Sequence, residues 1–186
     1  MEIQTIYGDL PQLETERLLL RKITLGDAED MYTYGSDPEV SKYVTWDQHN
    51  TIEDTKVFIH FILKQYEKKD IAPWGIEYKE TGQLIGTIDF VQWQIKHDSA
   101  EIGYVLSPEY WGQGLTTEAA EALIHFGFNH MDLIRIQARC FVENVGSSRV
   151  MEKVGMSYEG TMRKGMKVKG KHVDLKIYSI LKEDFS

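Results

Sequence analysis

The chain has little of several features that would assign a protein to a class at once. It contains one cysteine, Cys140, which excludes an internal disulfide framework and a cysteine zinc site. Four scattered prolines mark no linker, and no apolar run approaches the ~18 residues that span a membrane. The first ten residues lack the basic start and apolar run of a signal peptide. These absences predict one cytoplasmic domain over residues 1–186, without a membrane partner.

Positive charge is outnumbered by negative charge. Lys and Arg number 21 against 29 Asp and Glu, so the formal net charge is −8. Because binding to a phosphate backbone needs an excess of Lys and Arg, we expect no nucleic-acid partner. The six histidines show no metal-ligand spacing, and we expect no metal. An acidic surface would instead attract a cationic substrate.

The hydrophobic pattern alternates between a period of two and a helical period. It predicts the order strand, two helices, three-strand meander, helix, strand, helix and two strands. The strands are predicted near residues 18–23, 74–79, 84–93, 100–106, 134–142, 156–163 and 173–181, and the helices near 27–34, 51–69, 116–131 and 144–155. A helix connects the strands at 100–106 and 134–142, so these two can be parallel neighbours. The pattern indicates an α+β fold with a mixed sheet.

Residues 107–118 join a strand to a helix through a loop that contains Gly112 and Gly114. The unpaired N–H groups of a helix N-terminus favour an anion, and glycine allows close approach of the backbone. The loop lacks the Gly-Lys-Ser/Thr of a P-loop and the third glycine of a dinucleotide fingerprint. From the residues alone, a tight turn and an anion site both remain open.

Several motifs together resemble the GNAT N-acetyltransferases, and within them the branch that includes the ribosomal-protein N-terminal acetyltransferases. They are TERL at 15–18, AEIGY at 100–104, YWGQG at 110–114 followed by TEA at 117–119, and residues 143–155. The resemblance covers the chain from residue 15 onward. It implies the GNAT fold, a central twisted sheet that is mixed but mostly antiparallel and is flanked by helices.

The resemblance also implies acetyl-CoA as cosubstrate, no metal, and direct transfer of the acetyl group to a primary amine in a ternary complex. The amine would be a protein N-terminal α-amino group or a small amine. The family's pyrophosphate motif, Gln/Arg-x-x-Gly-x-Gly/Ala, aligns at 111–116, with Trp111 in the basic position and Thr116 in the small last position. The implied cofactor-binding residues are Tyr104, Val105, Leu106, Gly112, Gln113, Gly114, Leu115, Thr116, Thr117 and Asn144.

Two residues are implied as catalytic. Glu101 lies on the strand where the family often carries a carboxylate, as a base or an amine-orienting group, and a salt-bridged strand glutamate is the alternative. Ser147 matches a serine of this branch that would protonate the departing thiolate, and a capping serine is the alternative. Many members use a tyrosine where this chain has Met151, which leaves Ser147 or water as the acid.

Other interpretations stay open at this point. A GNAT-like domain that binds acyl-CoA as a sensor or interaction module would also fit Met151, and a nucleotide-binding regulator would rest on the two loop glycines alone. Cys140 falls on the apolar side of the alternating strand at 134–142, as a core residue would. Trp46, Trp74 and Trp93 fit an acceptor pocket or a core, and the basic residues at 163–171 fit a solvated hairpin or a partner patch. Members of the branch are often dimers, so the resemblance allows a homodimer.

Overall fold

A computed structural model describes residues 1–185 as an eight-stranded sheet flanked by helices. The strands are β1 (Leu13–Glu14), β2 (Leu18–Arg21), β3 (Trp74–Tyr78), β4 (Gln83–Gln94), β5 (Ser99–Leu106), β6 (Arg135–Phe141), β7 (Ser157–Val168) and β8 (Lys171–Leu181). The helices are α1 (Ile3–Tyr7), α2 (Ala28–Gly35), α3 (Pro38–Ser41), α4 (Ile52–Lys68), α5 (Leu115–His130) and α6 (Val145–Lys153).

The sheet has the order β1-β2-β3-β4-β5-β6-β8-β7, and only the β5–β6 pair is parallel. The other six pairs are antiparallel, which confirms the predicted mixed, mostly antiparallel sheet. The connection from β5 to β6 runs through α5, as a parallel pair requires.

Two apolar clusters hold the helices against the sheet. The larger includes α5 residues such as Leu123 and strand residues such as Ile85, and the smaller joins α2 and α4 to Leu84. Because consecutive strand residues point to opposite faces, Leu84 and Ile85 show that the clusters cover the two faces of the sheet. Trp74 and Cys140 lie in the larger cluster, 0% and 5% exposed. Trp74 is therefore a core residue and not part of an acceptor pocket.

Three short elements were not predicted, namely α1, β1 and α3, and β7 extends beyond its predicted end at residue 163. The extension is interrupted by register shifts between Tyr158 and Gly160 and between Met162 and Met166. Bulges of this kind place an extra residue in one strand and break the alternation from which a strand is predicted. Among residues 1–185, no helix combines the length and hydropathy needed to cross a bilayer.

Candidate active site

The central feature of the site is a gap between β5 and β6. The two strands pair in parallel from Ser99–Arg135 to Ile102–Ala138, and their pairing ends there. Beyond this point β5 stays paired with β4 as far as Leu106, and β6 stays paired with β8 as far as Phe141. The β5 edge at residues 103–106 therefore turns backbone groups toward the gap without a strand partner, and these groups are available to a ligand.

A cleft of about 490 Å³ follows this edge. Its walls come from the end of β5, the loop before α5, the start of α6, and α3 with the residues that follow it. The cleft brings together seven of the predicted residues: Tyr104, Val105, Leu106, Gly112, Thr116, Asn144 and Ser147. Gln113, Gly114 and Thr117 lie in the same loop and first helical turn, and the Leu115 side chain is buried beneath them. None of the basic residues at 163–171 lines this cleft.

The loop before α5 is shaped for close approach by an anion. Gly114 is the N-cap of α5 with φ of +77°, a left-handed conformation that glycine adopts without a steric penalty. The first turn of α5 carries unpaired N–H groups at the positive end of the helix dipole. Trp111, in the family's basic position, donates its Nε1–H to the Leu106 carbonyl at 2.8 Å and so ties the loop to the end of β5. These features fit a pyrophosphate held by backbone amides.

A second cavity, of about 660 Å³, opens beside the cleft and shares Tyr104, Val105, Asn144 and Ser147 with it. Aromatic side chains line one wall, among them Trp46, which agrees with the acceptor-pocket interpretation of that tryptophan. Three carboxylates line the cavity, those of Asp70, Asp89 and Glu101. Among the described residues, Arg139 is the one basic side chain that lines this cavity. The cavity is therefore acidic.

Glu101 is a buried carboxylate with both oxygens engaged. Oε1 accepts a hydrogen bond from Arg139 Nε at 2.8 Å, and Oε2 accepts one from Gln137 Nε2 at 2.7 Å. Glu101 and Gln137 are register partners of the parallel pair, so their side chains share a face, and Arg139 follows two residues later. The geometry suits a fixed negative charge more than a freely accessible base.

Asp89 is a further candidate, which the sequence pattern alone does not single out. It faces Gly103 across the β4–β5 ladder and shares the face of Glu101. Desolvation by burial raises the pKa of Asp89 from 3.8 to about 7, and no cation among the described residues is paired with it. A Cβ at Gly103 would lie 3.8 Å from Asp89 Oδ1, so the missing side chain leaves room at this carboxylate. In the sequence, the one mark of Asp89 is that it is a lone acid between Ile88 and Phe90 in a strand.

Ser147 lies in the first turn of α6, next to a second hydroxyl. Its N–H donates to Asn144 Oδ1 at 3.2 Å, which caps the helix, and its Oγ is 3.0 Å from Tyr104 Oη. Burial raises the pKa of Tyr104, so its phenol stays protonated. Met151 is buried and lines the second cavity. Ser147 and Tyr104 thus line the same cavity as Met151, the position where many family members have a tyrosine.

Comparison with known proteins identifies the family. The family described as "Acetyltransferase (GNAT) domain" matches residues 17–157. The chain belongs to the GNAT acetyltransferases. It is 39% identical over 172 residues to the uncharacterized N-acetyltransferase YoaA of Bacillus subtilis, covering 92% of this chain and 97% of that protein.

Two further relatives bear on the branch and the cosubstrate. The Escherichia coli ribosomal-protein-serine acetyltransferase is 32% identical over 127 residues, covering 68% of this chain and 70% of the relative, which confirms the predicted branch. The solved microcin C7 self-immunity acetyltransferase MccE, in complex with acetyl-CoA and AMP, is 25% identical with a TM-score of 0.79, covering 90% and 93% of the two chains. By its family and its relatives, the present chain is an acetyl-CoA-dependent N-acetyltransferase. Among residues 1–185, no group of His, Cys, Asp or Glu is arranged to hold a metal ion.

Proposed function

We propose that this acetyltransferase acetylates a primary amine of low pKa, with a protein N-terminal α-amino group as the leading candidate. The carboxylate of Asp89 carries this proposal: it lines the second cavity opposite Gly103, has no ion-pair partner among the described residues, and has a pKa that burial raises to about 7. Moving a proton from an α-ammonium group, with pKa near 8, to such a carboxylate costs about 1.4 kcal/mol, whereas a lysine near 10.4 costs about 4.6 kcal/mol. The E. coli relative named for ribosomal-protein serine acetylation supports the same class of acceptor, which would place the reaction in the cytoplasm.

The residues of this chain would divide the work between the two cavities: the cleft of about 490 Å³ would hold acetyl-CoA (the cofactor cleft), and the cavity of about 660 Å³ would hold the amine (the acceptor cavity). Acetyl-CoA supplies an acetyl thioester, which gives its acetyl group to an amine. The loop amides at 112–117 would hold the pyrophosphate, and Asn144 and residues 104–106 would line the pantetheine arm. Backbone N–H groups at the open edge of β5 would donate to the carbonyl oxygen as it gains negative charge.

Asp89, Glu101 and Ser147 would handle the protons and the charge of the amine. The amine nitrogen forms a bond to the acetyl carbon while the carbon–sulfur bond breaks. Asp89 takes one proton from the ammonium group, which leaves the neutral amine free to attack. The sulfur receives a proton from the Ser147 hydroxyl or from water, and the second proton that the nitrogen loses as the amide forms restores that donor. Glu101, fixed by Arg139 and Gln137, would orient the incoming ammonium group through its negative charge.

The acceptor is tested by exposing a proteome, with its free N-termini intact, to the enzyme and isotope-labelled acetyl-CoA. Mass spectrometry then assigns the label to α-amino groups, lysine side chains or small amines. We expect the label on α-amino groups and a lower acceptor kcat/KM at high salt, since the cavity is acidic. Label confined to lysine side chains would contradict the proposal.

Glu101→Gln is expected to lower kcat more than it weakens acetyl-CoA binding, because Glu101 lies in the acceptor cavity and not in the cofactor cleft. The substitution leaves the Arg139 guanidinium without its ion pair, and because this side chain is 22% exposed the loss of stability should be below the about 3–5 kcal/mol of a fully buried pair. The double variant Glu101→Gln/Arg139→Gln is the control, since it removes both charges. Turnover restored in the double variant would assign Glu101 a structural role, and steady-state kinetics with thermal unfolding measures both effects.

Ser147→Ala is expected to reduce kcat by about 10²-fold, the lower end of the range for a lost general acid. The backbone N–H that Asn144 caps is retained, so α6 keeps its N-terminal hydrogen bond. The reduction should be largest for donors whose leaving thiol is most basic, because those leaving groups need the proton most. A kcat equal to that of the wild type would assign the proton to water.

A further inference from the structure

A side-chain clamp lies behind the loop that precedes α5. Glu118, in the first turn of α5, accepts hydrogen bonds at Oε1 from Thr15 Oγ1 at 2.6 Å and from the Arg17 backbone N–H at 2.8 Å. Its Oε2 accepts one from Arg17 Nε at 2.7 Å. Three donors from the β1–β2 connection thus meet one carboxylate, and the Arg17 side chain is fixed by it.

The free end of the Arg17 guanidinium reaches the loop itself. Arg17 Nη1 donates to the Gln113 carbonyl oxygen at 3.0 Å. This carbonyl belongs to the peptide that links residues 113 and 114, and in a trans peptide the carbonyl and the N–H point in opposite directions. By fixing the Gln113 oxygen, Arg17 therefore fixes the direction of the Gly114 N–H, which points away from the guanidinium.

The guanidinium also brings a positive charge that the loop does not have. Trp111 occupies the position where the family's motif has Gln or Arg, so the motif supplies no basic side chain. Arg17 Nη2 lies 3.5 Å from the place where a Cβ on Gly114 would be. A hydrogen bond from a charged donor to a carbonyl polarises the peptide, and its N–H becomes a stronger donor.

We propose that Arg17 is a positioning residue for the cofactor phosphates: it orients and polarises the Gly114 N–H from behind the loop, and Glu118 holds it in place. The inference rests on the proposed role of the loop at 112–117 as the pyrophosphate site. It gives the TERL motif a task in cofactor binding, although Arg17 does not line the cofactor cleft.

The electrostatics of Glu118 keep the clamp closed at neutral pH. Burial by itself would raise the pKa of Glu118, but hydrogen bonds from Thr15 and Arg17 lower it below the ordinary glutamate value. The Glu118 carboxylate is therefore ionised at neutral pH, where it pairs with the Arg17 guanidinium. The Arg17 side chain is 39% exposed and that of Glu118 16%, so the pair is accessible to solvent on one side.

The test compares a donor that has phosphates with one that has none. Calorimetry gives the Kd of CoA, and kinetics gives kcat/KM for acetyl-pantetheine, which lacks the pyrophosphate. In Arg17→Ala we expect CoA to bind about 10- to 100-fold more weakly, the loss expected for a hydrogen bond to a charged group, with kcat/KM for acetyl-pantetheine within about twofold of wild type. In Arg17→Lys we expect a smaller loss of CoA affinity, because an ammonium lacks the fork that bridges Glu118 and Gln113.

Lys79→Ala is the matched control. Lys79 Nζ donates to the Thr15 carbonyl at 2.6 Å and pairs with Glu14, so it fastens the same β1–β2 connection without contacting the loop. We expect it to leave the Kd of CoA unchanged. Equal losses for CoA and acetyl-pantetheine in Arg17→Ala, or no loss for either, would overturn the positioning role of Arg17 and leave the proposed pyrophosphate loop intact. A wild-type protein that did not bind CoA would contradict the proposed pyrophosphate loop, and the clamp with it.

Discussion

Asp89→Asn is expected to reduce acceptor turnover by about 10²–10⁴-fold, the range for a lost general base. The amide keeps the size of the side chain but cannot accept the amine proton. Because Asp89 lines the acceptor cavity and not the cofactor cleft, the Kd of acetyl-CoA should stay within about twofold of wild type. Steady-state kinetics and calorimetry measure the two quantities separately.

The pH profile gives the same prediction a second readout. With a pKa of about 7, Asp89 loses its proton near neutrality, so the wild-type kcat/KM for the acceptor should rise through pH 7. Asp89→Asn should lose this limb of the profile. A variant that kept the limb and most of its turnover would contradict Asp89 as the base and return the role to Glu101 or to water.

The difference in stability between Asp89→Asn and wild type should depend on pH. Burial raises the pKa of Asp89 above its value in the unfolded chain, so the folded protein holds a proton that the unfolded chain has released. Stability from this group is present at low pH and declines as the pH rises from about 4 to about 7. Asp89→Asn should therefore be more stable than wild type at pH 8, and this advantage should vanish near pH 4.

Asp70→Asn is the matched control for Asp89→Asn. Both substitutions remove one carboxylate from the same cavity, so a loss caused only by weaker attraction of a cationic amine should appear in both. We expect Asp70→Asn to raise the acceptor KM and to keep both kcat and the pH limb. Identical losses in the two variants would show that Asp89 acts as a charge and not as a base.

Long periodic segments of the sequence predict their structures well, and short ones do not. The predicted helix at 116–131 is α5 at Leu115–His130, because a buried helix of four turns repeats its apolar pattern many times. The five residues of α1 carry no such pattern, and helices this short are marginal on their own. Packing holds α1 in place, with the Tyr7 ring 6.1 Å from that of Trp74.

The same division holds in the site. The left-handed glycines of the loop and the helix cap at Asn144 can be predicted from the sequence because both depend on local backbone geometry. The environment of Glu101 is not readable, since Gln137 and Arg139 reach it through the register of a parallel pair, 36 and 38 residues away in sequence. The raised pKa of Asp89 likewise depends on what surrounds it in three dimensions, and no local spacing encodes that.

Gly114→Val is expected to weaken acetyl-CoA binding by about 10²-fold or more, which should make it the most damaging single change in the loop. Gly114 has a φ of +77°, where a side chain costs about 1–2 kcal/mol and a β-branched one is a genuine outlier. A Cβ there would stand 3.5 Å from Arg17 Nη2, and the two methyl groups of valine would extend beyond it. The loop must then change its backbone, and the amides lose the directions that suit a phosphate.

Gly82→Val separates the loss of the site from the loss of stability. Gly82 has a φ of +71° in the turn between β3 and β4, does not line the cleft, and has nothing within 4 Å of a Cβ. The two variants should therefore lower the free energy of unfolding by similar amounts, while only Gly114→Val weakens acetyl-CoA. Native affinity in Gly114→Val would mean that residues 111–116 are not the pyrophosphate motif, because valine disfavours the left-handed backbone that directs the adjacent amides toward a phosphate.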